Sequence, residues 1–170
     1  MNRIDLKSID STNLYAKEIA KNTNDNTVII SEEQTAGYGT KGATWYSDKD
    51  SIICSFLIKN SEKTIPTDYS YRIGIIVSNI INKICNVDTY VKKPNDIYLN
   101  GKKLGGILIE TQYLAKRLDY LIIGIGLNVN QDKMPKDIEN IATSICIETG
   151  RKYSKEDIIS GLIKEIESEE

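Results

Sequence analysis

The 170-residue chain contains no histidine. That absence excludes the Ser-His-Asp and Cys-His nucleophile systems and the common histidine-containing metal sites. Chemistry must fall to Lys, Asp, Glu, Asn, Tyr and the backbone. Cysteine is scarce: Cys54, Cys85 and Cys146 are odd in number, widely spaced and set in apolar surroundings. This is the pattern of buried reduced thiols, not of a disulfide framework or a zinc site. No apolar run approaches the roughly eighteen residues that a membrane span requires, and residues 1–10 lack the apolar core of a secretory signal. A cytoplasmic protein without membrane association is expected. A basic excess is missing as well, with 22 Lys and Arg against 24 Asp and Glu and a net charge of −2. A nucleic-acid partner is therefore not expected. What is present is ordinary globular composition, 40% hydrophobic and 27% charged, in a chain long enough for one cored domain over residues 1–170.

Residues 3–9 alternate and predict a strand. Asp10-Ser11-Thr12-Asn13 offers helix N-caps before Leu14, Ile19 and Ala20 at helical spacing. Residues 27–32 and 51–59 predict strands, and the segment 37–42 between them predicts a loop. Residues 68–85 carry Ile73, Ile76, Val77, Ile80 and Ile81 at helical spacing, where period outranks the β-branched content. A strand over 89–93 is stopped by Pro94. Asn100-Gly101 between two strand-like runs (96–99 and 104–111) predicts a type I′ hairpin, whose turn needs two positive φ angles. Residues 118–128 predict a strand broken by Gly124 and Gly126. A last helix starts at Ser154, with Asp157 three residues on. Strands alternate with helices yet include a hairpin, so an α+β fold with a mixed sheet flanked by helices is expected.

Three glycine-bearing segments, 37–42, 101–106 and 124–126, follow predicted strands. Taken alone they read as surface turns or as loops that let a ligand approach the backbone. Neither the P-loop spacing nor a complete GxGxxG fingerprint is present. In Lys92-Lys93-Pro94-Asn95-Asp96, the hairpin brings Asp96 within reach of Lys103. That segment reads either as an Asx-type turn with solvated lysines or as a place for phosphates and magnesium. Gln34, at the end of the second strand, can both donate to and accept from an amide-like ligand. Trp45 is the single tryptophan and packs over the loop or into the core; Tyr38, Tyr98 and Tyr113 read as half-buried packing residues.

Together these segments resemble the catalytic domain of biotin–protein ligases. The matching pieces are Asp10-Ser11-Thr12-Asn13, Glu33-Gln34-Thr35-Ala36-Gly37-x-Gly39 with Gly42 and Trp45, Lys92-x-Pro94-Asn95-Asp96, Lys103-Leu104-x-Gly106-Ile107-Leu108-Ile109-Glu110, and Gly124-Ile125-Gly126-Leu127-Asn128. They stand in family order across nearly the whole chain. The resemblance implies a fold shared with class II aminoacyl-tRNA synthetases and lipoate ligases. It implies ATP- and magnesium-dependent activation of biotin to biotinyl-5′-AMP, then transfer to a lysine of a biotin carboxyl carrier domain.

By the same resemblance, Ser11, Thr12, Asn13, Gln34, Gly37 and Gly106 form the biotin pocket. Lys103 holds the carboxylate and α-phosphate, and Asp96 serves as base toward the acceptor lysine and as the one magnesium ligand. Gly39, Thr40, Lys41, Lys92, Asn95 and Asn128 face the nucleotide. A homodimer is left open. The family loop usually carries arginines where this chain has Tyr38, Thr40 and Ala43. Bidentate phosphate contacts are worth roughly 1.5–3 kcal/mol each, so weaker nucleotide binding or a leakier adenylate is expected. Lys93 stands where the family has tryptophan, a packing change. A catalytic domain alone is expected, with neither the winged helix nor the β-barrel domain of some relatives. Two alternatives remain: a non-catalytic biotin- or adenylate-binding protein, and a lipoate or octanoyl transferase of the same fold.

Overall fold

The computed structural model describes residues 1–59 and 64–169. Its elements, in chain order, are β1 (Asn2–Ile9), α1 (Thr12–Ile19), β2 (Thr27–Gln34), β3 (Ser51–Lys59), α2 (Tyr69–Cys85), β4 (Tyr90–Lys92), β5 (Asp96–Leu99), β6 (Lys102–Leu114), β7 (Arg117–Asn128), α3 (Ile145–Thr149) and α4 (Lys155–Glu169). The strands form a seven-stranded sheet in the order β1-β2-β3-β7-β6-β5-β4. β1 pairs with β2 in parallel and every other pair is antiparallel. The expected mixed sheet flanked by helices is what forms.

Local chemistry explains the boundaries. Ser11 caps α1, its Oγ accepting from the Leu14 N–H, and Ser154 accepts from the Asp157 N–H at 3.2 Å at the start of α4. α2 ends at Asn86 in the left-handed region, a residue type that tolerates it. The β5–β6 turn has φ of 50° at Asn100 and 81° at Gly101, as a type I′ turn demands.

The two faces of the sheet are covered differently because strand side chains alternate. On one face Val28, Ile30, Ile52, Phe56, Leu121, Ile123 and Leu127 pack with Ile73, Val77 and Ile81 of α2 and Ile158 and Leu162 of α4 in one buried cluster. On the other, α1 contributes Ala16 and Ala20 to a smaller cluster with Ile29, Leu57 and Ile122. Beyond α1 that second face is open, and the site lies there.

Several expectations need correction. Gly124 and Gly126 do not break the strand; both lie inside β7, paired with β3 and β6. Gly105 and Gly106 lie inside β6, so only Gly101 of the second glycine segment is a turn residue. For Gly105, Gly124 and Gly126 the reason is the close approach of neighbouring atoms, not a need for a bend. The strand expected over 89–93 is shorter, and helix α3 had no periodic signal in its five residues. Tyr113 is exposed rather than half-buried, and Cys146 is only partly buried, whereas Cys54 and Cys85 are fully buried. No helix among the described residues is long and apolar enough to cross a membrane.

Candidate active site

On the open face, alternate residues of β7 are Ile122, Gly124, Gly126 and Asn128. The two glycines replace the side chains that would otherwise fill this surface. A Cβ on Gly124 would stand 2.5 Å from Asn13 Oδ1, and one on Gly126 would stand 2.6–2.8 Å from the Trp45 ring. Asn13 and Trp45 therefore lie directly on the strand, which sets the floor and one wall of a cavity. Its lining includes Ser11, Thr12, Asn13, Gln34, Trp45 and Lys103. Thr40, Asn95, Asp96 and Gly106 complete its far side.

The polar groups of this cavity are tightly interlocked. Gln34 Oε1 accepts from the Thr12 N–H (2.8 Å) and hydroxyl (3.1 Å), which leaves its Nε2 as the donor offered to the cavity. Ser55 Oγ lies 2.7 Å from Thr12 Oγ1 and 2.5 Å from Asn13 Oδ1. A hydroxyl has one proton, so one of those oxygens can turn to a ligand donor. Asn13 Nδ2 donates to Glu110 Oε2 at 2.8 Å, Tyr38 donates to the same oxygen at 3.0 Å, and Lys17 Nζ pairs with Oε1 at 2.6 Å. Burial works against ionisation of Glu110, but the bonds from Lys17, Asn13 and Tyr38 outweigh it and hold its carboxyl below the usual range. Burial and the adjacent Glu110 push the Tyr38 phenol above its usual range, so it remains a donor.

Lys103 is the charged group at the centre. Its Nζ lies 2.8 Å from Asp96 Oδ1 and 5.5 Å from the centroid of the Trp45 ring. Its main chain is held as well: its N–H donates to the Ile141 carbonyl and its carbonyl accepts from the Thr143 N–H, both at 2.9 Å. The pairing of Asp96 with Lys103 read from the hairpin is present. Cys54 also borders the cavity, but its side chain belongs to the packed cluster on the other face of the sheet, where burial pushes the thiol up, so it is a packing residue and not a nucleophile.

A second cavity shares Gln34, Tyr38, Thr44, Trp45 and Lys103 with the first and extends past Gly37, Asn128, Met134, Ile138 and Ile141. Trp45 Nε1, Ser47 Oγ and Asn128 Oδ1 are buried here without a hydrogen-bond partner among the described residues. Buried polar atoms are normally satisfied, so these three are polar groups whose capacity the described residues leave unused; Trp45 Nε1 itself lies against Gly126 of β7. Asn128 Nδ2 is already used, donating to the Thr143 carbonyl at 3.0 Å.

The structure thus brings together Ser11, Thr12, Asn13, Gln34, Gly39, Thr40, Asn95, Asp96, Lys103 and Gly106 at the first cavity and Gly37 and Asn128 at the second. It does not bring in Lys41 or Lys92. Lys41 is exposed at the loop tip with φ 59°, and Lys92 lies on edge strand β4 with its Nζ 5.1 Å from the Tyr98 ring centroid. Gly37 is needed for Gln34, whose Nε2 would stand 2.7 Å from an added Cβ. Glu110 as a junction and Met134, Ile138 and Ile141 as a wall have no signal of their own in the sequence reading. The latter recur at i, i+4 and i+7, but in a segment of turns without a helix.

The model of the biotin/lipoate A/B protein ligase family matches residues 6–128. Among named proteins, the chain is 35% identical to the bifunctional ligase/repressor BirA of Bacillus spizizenii over 162 residues, covering 91% of this chain and 49% of that protein. It is 30% identical to the biotin–[acetyl-CoA-carboxylase] ligase of Mycobacterium tuberculosis, covering 85% and 54%. It spans about half the length of these relatives. Among solved structures, the biotin protein ligase of Aquifex aeolicus in complex with biotin and ATP superposes with a TM-score of 0.84 at 32% identity, covering 98% of this chain and 69% of that one. The Leishmania major enzyme with biotinyl-5-AMP gives 0.78 at 27% identity, covering 95% and 71%.

Proposed function

Because the chain belongs to the biotin/lipoate A/B protein ligase family, we propose that it activates biotin with ATP to biotinyl-5′-AMP and transfers the biotinyl group to a lysine of a biotin carboxyl carrier domain. The observation that carries this reading is the position of Lys103, which lines both cavities beside the shared wall Trp45. A carboxylate from one cavity and an α-phosphate from the other would meet at its ammonium.

Biotin takes the first cavity, its ureido group against Gln34 Nε2 and the Ser11–Asn13 turn and its ring over Gly106. The nucleotide takes the second, where Ser47 and Asn128 supply polar groups for a purine and ribose and the apolar residues of 134–141 cover it. Thr40 and Asn95 line the first cavity with Lys103, so they would meet the phosphates only where these reach past Lys103 from the second. A carboxylate oxygen of biotin attacks the α-phosphorus, and the bond to the bridging oxygen breaks as pyrophosphate leaves with the electron pair. Lys103 offsets the charge that develops there. In the second half, the acceptor amine attacks the mixed-anhydride carbonyl and AMP departs, with Asp96 in place to take the amine proton. Asp96 is the one carboxylate in the lining of the first cavity. Magnesium, which commonly binds through phosphates with one or two carboxylates, would be held by the nucleotide with Asp96 as its protein ligand.

The test is biotin-dependent exchange of pyrophosphate into ATP by the 170-residue chain, with Lys103→Ala as control. Exchange that needs biotin and disappears in the variant is the expected result. Absence of exchange with biotin binding retained would overturn the ligase reading in favour of a binding protein.

A further inference from the structure

The loop between β2 and β3 crosses the first cavity, and its side chains tie it down on both banks. Within itself it is a small closed turn: Gly39 N–H donates to the Ala43 carbonyl at 2.7 Å and Trp45 N–H to the Gly37 carbonyl at 3.0 Å. On one bank Tyr38 reaches Glu110, which also holds Lys17 and Asn13. On the other, Asn95 Nδ2 donates to Thr40 Oγ1 at 3.0 Å. Between these anchors, the loop tip at Lys41 and Gly42 is exposed and in left-handed conformations. Tyr38 and Asn13 line the cavity, whereas Glu110 lies behind them.

We propose that Glu110 is a positioning residue: through Tyr38 it straps the 37–45 loop across the cavity before any ligand binds, and thereby slows the escape of biotin and its adenylate. The strap occupies the positions, Tyr38 and Thr40, at which the loop shows no cationic side chain for a phosphate. Order that would otherwise come from the ligand comes here from the protein's own carboxylate and amide. Three donors from two other segments converge on one half-buried carboxylate, so its loss frees the loop and the Asn13 side chain together. A strap closed in the free protein reduces the ordering that binding must supply, which favours slow dissociation.

The identity of the retained molecule rests on the ligase reading; the strap itself does not. The first measurement is therefore amide hydrogen exchange in ligand-free protein, comparing wild type with Tyr38→Phe and Glu110→Gln. A lost hydrogen bond to a charged group corresponds to roughly tenfold or more. The amides of Gly39, Ala43 and Trp45 are expected to exchange about tenfold faster in both variants, with β7 amides unchanged. Unchanged loop exchange in Tyr38→Phe, which keeps the ring and the fold even if Glu110→Gln does not, overturns the proposal. The second measurement is release of labelled biotin and of the adenylate. Tyr38→Phe is expected to release about tenfold faster, Glu110→Gln at least as fast because it also frees Asn13, and the double variant no faster than Glu110→Gln alone, because the Tyr38 link is already lost in it. KM for biotin should rise while kcat at saturating biotin changes by less than about twofold. Multiplying effects in the double variant, or a fall in kcat alone, would refute the positioning role. If wild type shows no biotin-dependent exchange, the ligase reading fails while the amide measurement still decides the strap.

Discussion

The two faces of one sheet are built by different rules. On the α2–α4 face, β3 presents Ile52, Cys54, Phe56 and Ile58, and β7 presents Leu121, Ile123, Ile125 and Leu127, all buried in a single cluster. One residue out of step, the same strands present Ser55 and Leu57, and Gly124, Gly126 and Asn128. The first face is held by burial, which is non-directional and scales with area. The second is held by a lattice of polar contacts on Gln34, Ser55, Asn13 and Glu110, each with a defined geometry. The contrast teaches that stability and ligand capture are separated here by a single step of the strand pleat.

The largest effect should come from breaking the packed face. Phe56 is completely buried, and truncating such a residue costs about 3–5 kcal/mol. Phe56→Ala is expected to lower stability by that amount in a denaturant titration. A loss below about 1 kcal/mol would mean that the cluster is not the main source of stability. Gly126→Ala, on the opposite face of neighbouring β7, should do the reverse. The added Cβ meets the Trp45 ring at 2.6–2.8 Å, and Trp45 is only partly buried, so the ring has room to shift that a fully buried core residue lacks. Stability should therefore fall by less than in Phe56→Ala, whereas a shift of the wall between the two cavities is expected to reduce biotin-dependent exchange by about a hundredfold, the scale of a misplacement of about an ångström. Equal losses of stability in the two variants would erase the distinction between the faces.

The packed face was the more legible in the sequence, for a physical reason. Burial imposes periodicity, and the helical spacing of Ile73, Val77, Ile80 and Ile81 or the continuous run of β3 can be read directly. The hairpin at Asn100-Gly101 was equally plain, since few residue types accept two positive φ angles. The open face was legible only as motifs. Gly124 and Gly126 look like strand breakers in one dimension, because the side chains that require them, Asn13 and Trp45, lie 111 and 81 positions earlier in the chain. Glu110 has no local signature either: its partners come from α1 and from the loop after β2. The wall formed by Met134, Ile138 and Ile141 is set by turns tied to the main chain of Lys103, a long-range pairing that leaves no period. Lys92 failed for the opposite reason, since a charge near a motif says nothing about which side of an edge strand it takes.

The smallest effect sharpens the comparison from the side of charge. Arg3 on β1 pairs with Glu156 at the start of α4, Nη1 to Oε1 at 2.5 Å, and its Nε with Asp5 at 2.9 Å. This pair belongs to the packed side of the molecule, but it is exposed, with 35% of the Arg3 and 57% of the Glu156 side chain accessible. The hydrogen bond from Arg3 holds the Glu156 carboxyl below its usual range against a smaller opposing effect of burial, and Ser160 adds to it. A lowered folded pKa means that the pair's contribution is whole above the unfolded value of about 4.3 and is lost as pH falls through the folded value. Solvent screening limits an exposed pair to less than about 1 kcal/mol. Glu156→Gln should therefore shift Tm at pH 7 by no more than about 2–4 °C, and the difference from wild type should vanish once pH has fallen through the lowered folded value. Glu110 titrates in the same direction, yet its protonation should be seen first as faster amide exchange in the 37–45 loop, with the β7 amides still protected. If acid instead released β7 and the loop together, the polar face would have no stability of its own, and the two faces would unfold as one unit.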